Sequence, residues 1–356
     1  MIAVLTKVFG THNIDLAEDV TQEAFKRALE TWSIRGVPPD PEGWLMVTAK
    51  NRALDIIRKQ KGISTFSPEH DLPLQSGWIA ESHLDGILGP AAIKDDELRL
   101  MFSCCPSALP EEAHVALILY LLSGFSVAEI SSAFVSSVSA IEKRISRSKH
   151  VLAESKSLFV VSRKEEFDER LPSVLRAIYL LFNEGYHGAS AASAVRSQLC
   201  REALRLVDLV LDHPFGANPS TFALSALMNF NAARLPARLT PEGELASLQN
   251  QDRSQWDEEL LARGFEHLAL SASGSSLTEY HIEALLAANH VAAPSVEATD
   301  WNSVVSLYDQ LLLLRPSPIV YLNRAIAVGY RDGAEQGLAA IQSIPEQSKL
   351  ANYPFF

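Results

Sequence analysis

The sequence predicts an all-α protein. Apolar residues recur at intervals of three and four through most of its length, helix-start signals precede several of these runs, and no convincing strand interrupts the long C-terminal half. The organisation reads as two small helical modules, 1–61 and 95–156, separated by a linker over 62–94 and followed by a helical-repeat-like region over 157–356.

In the first module, Leu16, Ala17, Val20, Ala24, Phe25, Ala28, Leu29 and Trp32 form the inward stripe of an amphipathic helix over 15–32. Asp15, Glu18, Asp19, Gln22 and Glu23 take its outer face, acidic toward the end where the helix dipole favours negative charge. Such a face is either solvated or a docking surface for a basic partner. After Gly36-Val37-Pro38-Pro39, Asp40 and Pro41 supply an N-cap and a first-turn proline for a helix running to about Lys61. Leu45, Ala49, Ala53 and Ile56 mark its buried stripe, Asn51, Asp55 and Arg58 share another face, and Lys50, Arg52, Lys59 and Lys61 add to its basic character. Trp44 suits either a core position or a stacking surface for unpaired bases.

Pro68, Pro73, Gly77, Gly86, Gly89 and Pro90 break every apolar run of the linker. Helices resume over 95–102 and after Pro110, where Glu111 and Glu112 open a run with Ala113, Leu117, Tyr120 and Leu121 on one side. Residues 125–152 then give two short helices around a serine-rich turn, with Val127, Ile130 and Phe134 facing inward from the first and Ile141, Ile145, Ser148 and Leu152 from the second. Lys143, Arg144, Arg147, Lys149 and His150 lie outward on the second helix, as in a helix-turn-helix reader of the major groove, or as in a surface hairpin with a solvated basic face.

Helices are expected in the C-terminal half over 165–185, 193–213, 219–234, 254–272, 277–291, 300–315 and 318–343. Residues 301–344, broken at Arg315-Pro316-Ser317-Pro318 and carrying small Ala325 and Ala327, have a tetratricopeptide-like habit without a clean repeat. Gly185 reads as a helix C-cap, and Ser254 with Asp257 as a capping pair.

The net charge of −12 argues against a protein that holds DNA unaided, because phosphate neutralisation supplies most non-specific affinity. Residues 1–156 hold 16 Lys and Arg against 20 Asp and Glu, and the remainder 15 against 23, so the C-terminal part is the more acidic. Cys104, Cys105 and Cys200 provide neither a disulfide framework nor zinc spacing, and no HExxH, paired-carboxylate or glycine-rich phosphate pattern occurs. No enzyme activity, cofactor or metal is expected. Without a signal peptide or an apolar run near the roughly 20 residues that span a bilayer, the expected address is the cytoplasm, away from membranes.

The order of these parts resembles an RNA polymerase sigma factor of the extracytoplasmic-function type. DLAEDVTQEAF resembles the family's polymerase-docking helix, PEGWLMVTAKNRALDIIRK its promoter-melting segment, and FSVAEISSAF with IEKRISRSK its reader of the upstream promoter element. DDELRLMFSCC, LYLLFNEGY, LCREALRL, NQDRSQWD and SPIVYLNRAIAV resemble a subgroup with a long helical C-terminal extension. The chain departs from the pattern with Pro106-Ser107 for His-Pro, Ser137 for a turn proline and Ala140 for a hydroxyl residue.

The resemblance implies a transcription-initiation subunit whose partners are core RNA polymerase and promoter DNA. Asp15, Glu18, Asp19, Gln22 and Glu23 would dock on polymerase. Trp44, Asn51, Arg52, Asp55 and Arg58 would open the downstream element, and Lys143, Arg144, Arg147 and Lys149 would contact DNA upstream. The extension would pack on these modules and take a regulatory protein or ligand. The rival reading is a helical-repeat scaffold whose helix-turn-helix reads no promoter.

Overall fold

The computed structural model describes residues 1–60, 90–106, 108–134, 136–154, 164–187, 197–238, 246–274, 276–345 and 347–350. Among them the regular structure is helical throughout, as the sequence predicts, with no strand. The chain divides into two units, Met1–Ala177 and Ile178–Phe356. The expected linker over 62–94 lies almost wholly outside the described residues.

In the N-terminal unit α1 (Ile2–Phe9) precedes α2 (Ile14–Arg35) and α3 (Pro41–Gln60). Asp40 caps α3 by accepting the Gly43 N–H at 2.9 Å, the start its Asp-Pro pair predicts. Val4, Leu5 and Phe9 of α1 meet Ala17, Val20, Ala24 and Ala28 of α2 and Leu45, Met46, Ala49 and Ala53 of α3 in one core. The alanines let α2 and α3 approach closely. They also correct the expected stripe: Phe25 and Leu29, a residue beyond Ala24 and Ala28, are turned away from α3 and are 50% and 77% exposed. Helix α1 was not read from the sequence, being a single apolar two-turn run without a start signal.

The same unit continues with α4 (Pro90–Ser103), α5 (Glu111–Leu121), α6 (Val127–Ala133) and α7 (Val138–Glu154). Helix α7 packs on α5 and α6 through Ile141, Ile145, Ser148 and Leu152, all buried as expected. Ser126 and Glu129 form a reciprocal cap on α6: Glu129 Oε2 accepts from the Ser126 N–H at 2.9 Å, and Ser126 Oγ accepts from the Glu129 N–H at 3.3 Å. The serine turn ties itself down, the Ser131 hydroxyl donating to the Ser136 carbonyl at 2.8 Å.

Helix α8 (Lys164–His187) begins in the N-terminal unit. Phe167 stacks on Phe102 with centroids 4.2 Å apart, Arg170 donates to the Phe102 carbonyl at 3.1 Å, and His114 bonds Ser173 at 3.2 Å. Gly185 does not cap this helix. It is buried inside it, and a Cβ there would meet Cys200 and Leu199 of the next helix at 2.9 Å, so glycine permits a close crossing.

The C-terminal unit continues with α9 (Ser197–Leu211), α10 (Pro219–Ala233), α11 (Glu258–Ser271), α12 (Glu279–Ala292), α13 (Trp301–Leu314), α14 (Pro318–Asp332) and α15 (Ala334–Gln342). Most pack chiefly on a sequence neighbour, whereas α12 packs most extensively on α10. The single helix expected over 318–343 is two helices, because Gly333 at φ +110° ends α14. Of the expected capping pair, Asp257 caps α11 through Leu260 at 3.0 Å, whereas Ser254 bonds Asp252 in the preceding 3-10 turn.

Candidate docking face and nucleic-acid interface

The residues that the sequence selects for docking do not share one environment. Asp15, Asp19, Gln22 and Glu23 are exposed on α2, while Glu18 is buried. Gln22, Phe25 and Leu29 fall at i, i+3 and i+7, so polar and exposed apolar side chains form one continuous face. This mixture of charge around uncovered hydrophobic groups suits a protein interface better than a purely solvated helix side.

On α3, Asn51 and Asp55 are exposed and Arg52 is half-buried, its Nε donating to Glu23 Oε2 at 2.7 Å. A residue selected for DNA and one selected for polymerase are thereby joined across α2 and α3. Both side chains remain more than a third exposed, so the pair contributes little stability, at most about 1 kcal/mol. Trp44 is half-buried against the helical core and meets Trp32 edge-to-face, with centroids 5.5 Å apart. Part of its ring is therefore committed to packing. The Arg58 side chain lies outside the described residues.

Lys143 and Arg147 are exposed on α7, and Arg144 is half-buried with its guanidinium 5.7 Å from the centre of the Phe134 ring. Phe134 therefore holds Arg144 near the turn. Lys149 lies elsewhere: it bonds Glu18 Oε2 at 2.8 Å and also pairs with Asp15, and its side chain is 16% exposed. Tyr120 donates to the other Glu18 oxygen at 2.5 Å. Burial, reinforced by the Glu18 hydrogen bond, pushes the Tyr120 hydroxyl up to about 12, so it remains a donor at neutral pH. Burial alone would weaken the Lys149 charge, but the bonds to Asp15 and Glu18 outweigh it and hold the ammonium above its ordinary pKa.

Tyr120, Phe25 and Leu29 were not among the residues selected from sequence. A tyrosine on an apolar helix face signals core, and an exposed leucine carries no signal until its neighbours are known. Among the described residues no group of three His, Cys, Asp or Glu side chains is placed to hold a metal ion, and no helix is long and apolar enough to cross a membrane.

Helices α1 to α3 coincide with a match to sigma-70 region 2 over residues 2–63. The chain is also 37% identical to an uncharacterized protein of Rhizobium meliloti (strain 1021) over 347 residues, covering 97% of this chain and 80% of that protein. The chain belongs to that protein's family. Residues 170–272 match a family of unknown function, DUF6596, and no solved structure matches. The region 2 match makes this a sigma-factor-like protein, and in it the exposed face of α2 and the paired Glu23–Arg52 both lie inside the matched segment.

Proposed function

We propose that this sigma-factor-like protein is a non-enzymatic transcription-initiation subunit of the extracytoplasmic-function type, which binds core RNA polymerase and directs it to promoters. The observation that carries the reading is the exposed acidic and apolar face of α2 within the region 2 match: Asp19, Gln22, Glu23, Phe25 and Leu29. Complementary charge on polymerase would orient the encounter, and the two apolar side chains would give it buried area. Asn51, Asp55 and Arg52 on α3, with Trp44 and Arg58 of the same helix, would hold the opened downstream element.

Helices α6 and α7 are proposed as the helix-turn-helix that reads the upstream element, with Arg144 on base edges and Lys143, Arg147 and Lys149 on phosphate. The C-terminal unit is proposed as a tetratricopeptide-like regulatory extension that takes a protein or ligand signal, in a protein of the cytoplasm. The test is run-off transcription with core polymerase across a set of promoters. Arg144→Ala is expected to cost about 1–3 kcal/mol at a single base position, whereas Lys143→Ala weakens all promoters alike. A chain that neither binds core polymerase nor changes its start sites returns the scaffold reading.

A further inference from the structure

Glu18 has no free oxygen. One accepts from Tyr120 on α5 at 2.5 Å and the other from Lys149 on α7 at 2.8 Å, with Lys149 also held by Asp15. The Glu18 side chain is 11% exposed and that of Lys149 16%. The 3-10 turn Thr11–Asn13 before α2 packs directly on α7, and a groove of about 480 Å³ lined by Asp15, Tyr120, Val127, Ile145 and Lys149 runs beside the contact. Two carboxylates of the docking set and one lysine of the reader set therefore satisfy one another, although Glu18 and Lys149 stand 131 residues apart.

We infer that this contact is an autoinhibitory lock, in which the promoter-reading helix covers part of the polymerase-docking face and is itself held away from DNA. The inference rests on the proposed docking of α2 on polymerase, takes Asp15 and Glu18 into that face as the sequence resemblance implies, and adds a regulatory step to it. Opening is an exchange of cations: a basic side chain of polymerase replaces Lys149 on Asp15 and Glu18, and Lys149 is released to a DNA phosphate. One charge pair is replaced by another, so no buried carboxylate is left bare. An intramolecular partner competes at high effective concentration, and the apparent docking affinity falls by the fraction of chain that is closed. Docking and DNA reading are thereby coupled, since completing one surface uncovers the other.

The test compares the full-length chain with Tyr120→Phe and Lys149→Met by amide hydrogen exchange and by binding to core polymerase without DNA. Tyr120→Phe removes one hydrogen bond of the lock while leaving every proposed docking and DNA-contacting side chain in place, which keeps the test alive if Lys149→Met misfolds. Expected are faster exchange over residues 141–154 in both variants and tighter polymerase binding, by about threefold for Tyr120→Phe and about tenfold for Lys149→Met. Wild-type binding that neither variant improves, or exchange that neither variant changes, overturns the lock. Failure of all three chains to bind polymerase at any concentration removes the docking reading and the lock together.

Discussion

The two units hold their helices by different means. In the N-terminal unit charged side chains bond across long stretches of sequence: Lys7 reaches the fully buried Asp96 at 2.6 Å, and Lys149 reaches Asp15 and Glu18. The C-terminal unit adds close crossings made by glycine, Gly264 against the Phe230 ring and Gly337 against Gly329, to ion pairs between its helices such as Arg315–Glu279 at 3.0 Å and Arg263–Asp208. An ion pair is exchangeable, because an incoming partner of like charge can take either place. A glycine crossing is not, because close-packed helices have few alternative registers. The Lys149 contacts of the N-terminal unit are thus open to exchange with an external partner, and the glycine crossings of the C-terminal unit are not.

Where one unit ends decides the largest expected effect. Phe167, Leu171, Val174 and Leu175 are buried residues of the N-terminal unit, although the sequence assigns them to the extension. Each contributes about 1.5–3 kcal/mol, so a chain ending at 163 loses about 6 kcal/mol or more and is expected not to fold cooperatively, whereas one ending at 187 folds. Equal thermal unfolding of the two truncations would erase the boundary. Next in size is Gly337→Leu, whose Cβ would begin 2.8 Å from the Gly329 Cα. The C-terminal unit should lose about 1–3 kcal/mol or more in denaturant unfolding. Unchanged unfolding would show that the crossing of α14 and α15 opens without cost.

Acid sharpens the contrast. Burial first, then Arg234 and Arg253, lowers the His290 pKa to about 4 from an ordinary 6.5. A histidine held neutral in the fold contributes stability that is fully present above 6.5, where neither state is charged. That stability is lost as pH falls toward 4, because the unfolded chain takes the proton and the folded one resists it. The expected loss is at most about 3 kcal/mol, read as a falling urea midpoint of the C-terminal unit between pH 6.5 and 4 that flattens in His290→Gln. The smallest effect on stability belongs to Asp19→Lys. This exposed change should move unfolding by no more than about 0.5 kcal/mol while slowing association with polymerase in a salt-dependent way. Unaltered association would take Asp19 out of the docking face.

Much of this architecture was legible because each inference had a local cause. Asp40-Pro41 fixed the start of α3, and the buried stripe Ile141, Ile145, Ser148 and Leu152 fixed the face of α7. What escaped depended on partners distant in sequence. Phe25 and Leu29 fit a helical stripe as well as Ala24 and Ala28 do, and only the close approach of α3 decides which pair is covered. Lys149 belongs to a basic run in sequence, and nothing in that run shows that Asp15 and Glu18 face it. Gly185 had the local look of a helix end, whereas its role is set by Cys200 on the next helix.

The measurement closest to the centre of this account is promoter binding by the full-length chain at physiological salt, with and without core polymerase. With a net charge of −12 and the reader lysine engaged, the chain alone should bind promoter and unrelated duplex equally weakly, with dissociation constants on the order of 10⁻⁴–10⁻⁶ M. Addition of core polymerase should bring tight, promoter-selective binding and a transcript of defined start. Tight sequence-specific binding by the chain alone would contradict the account and identify an ordinary repressor or activator.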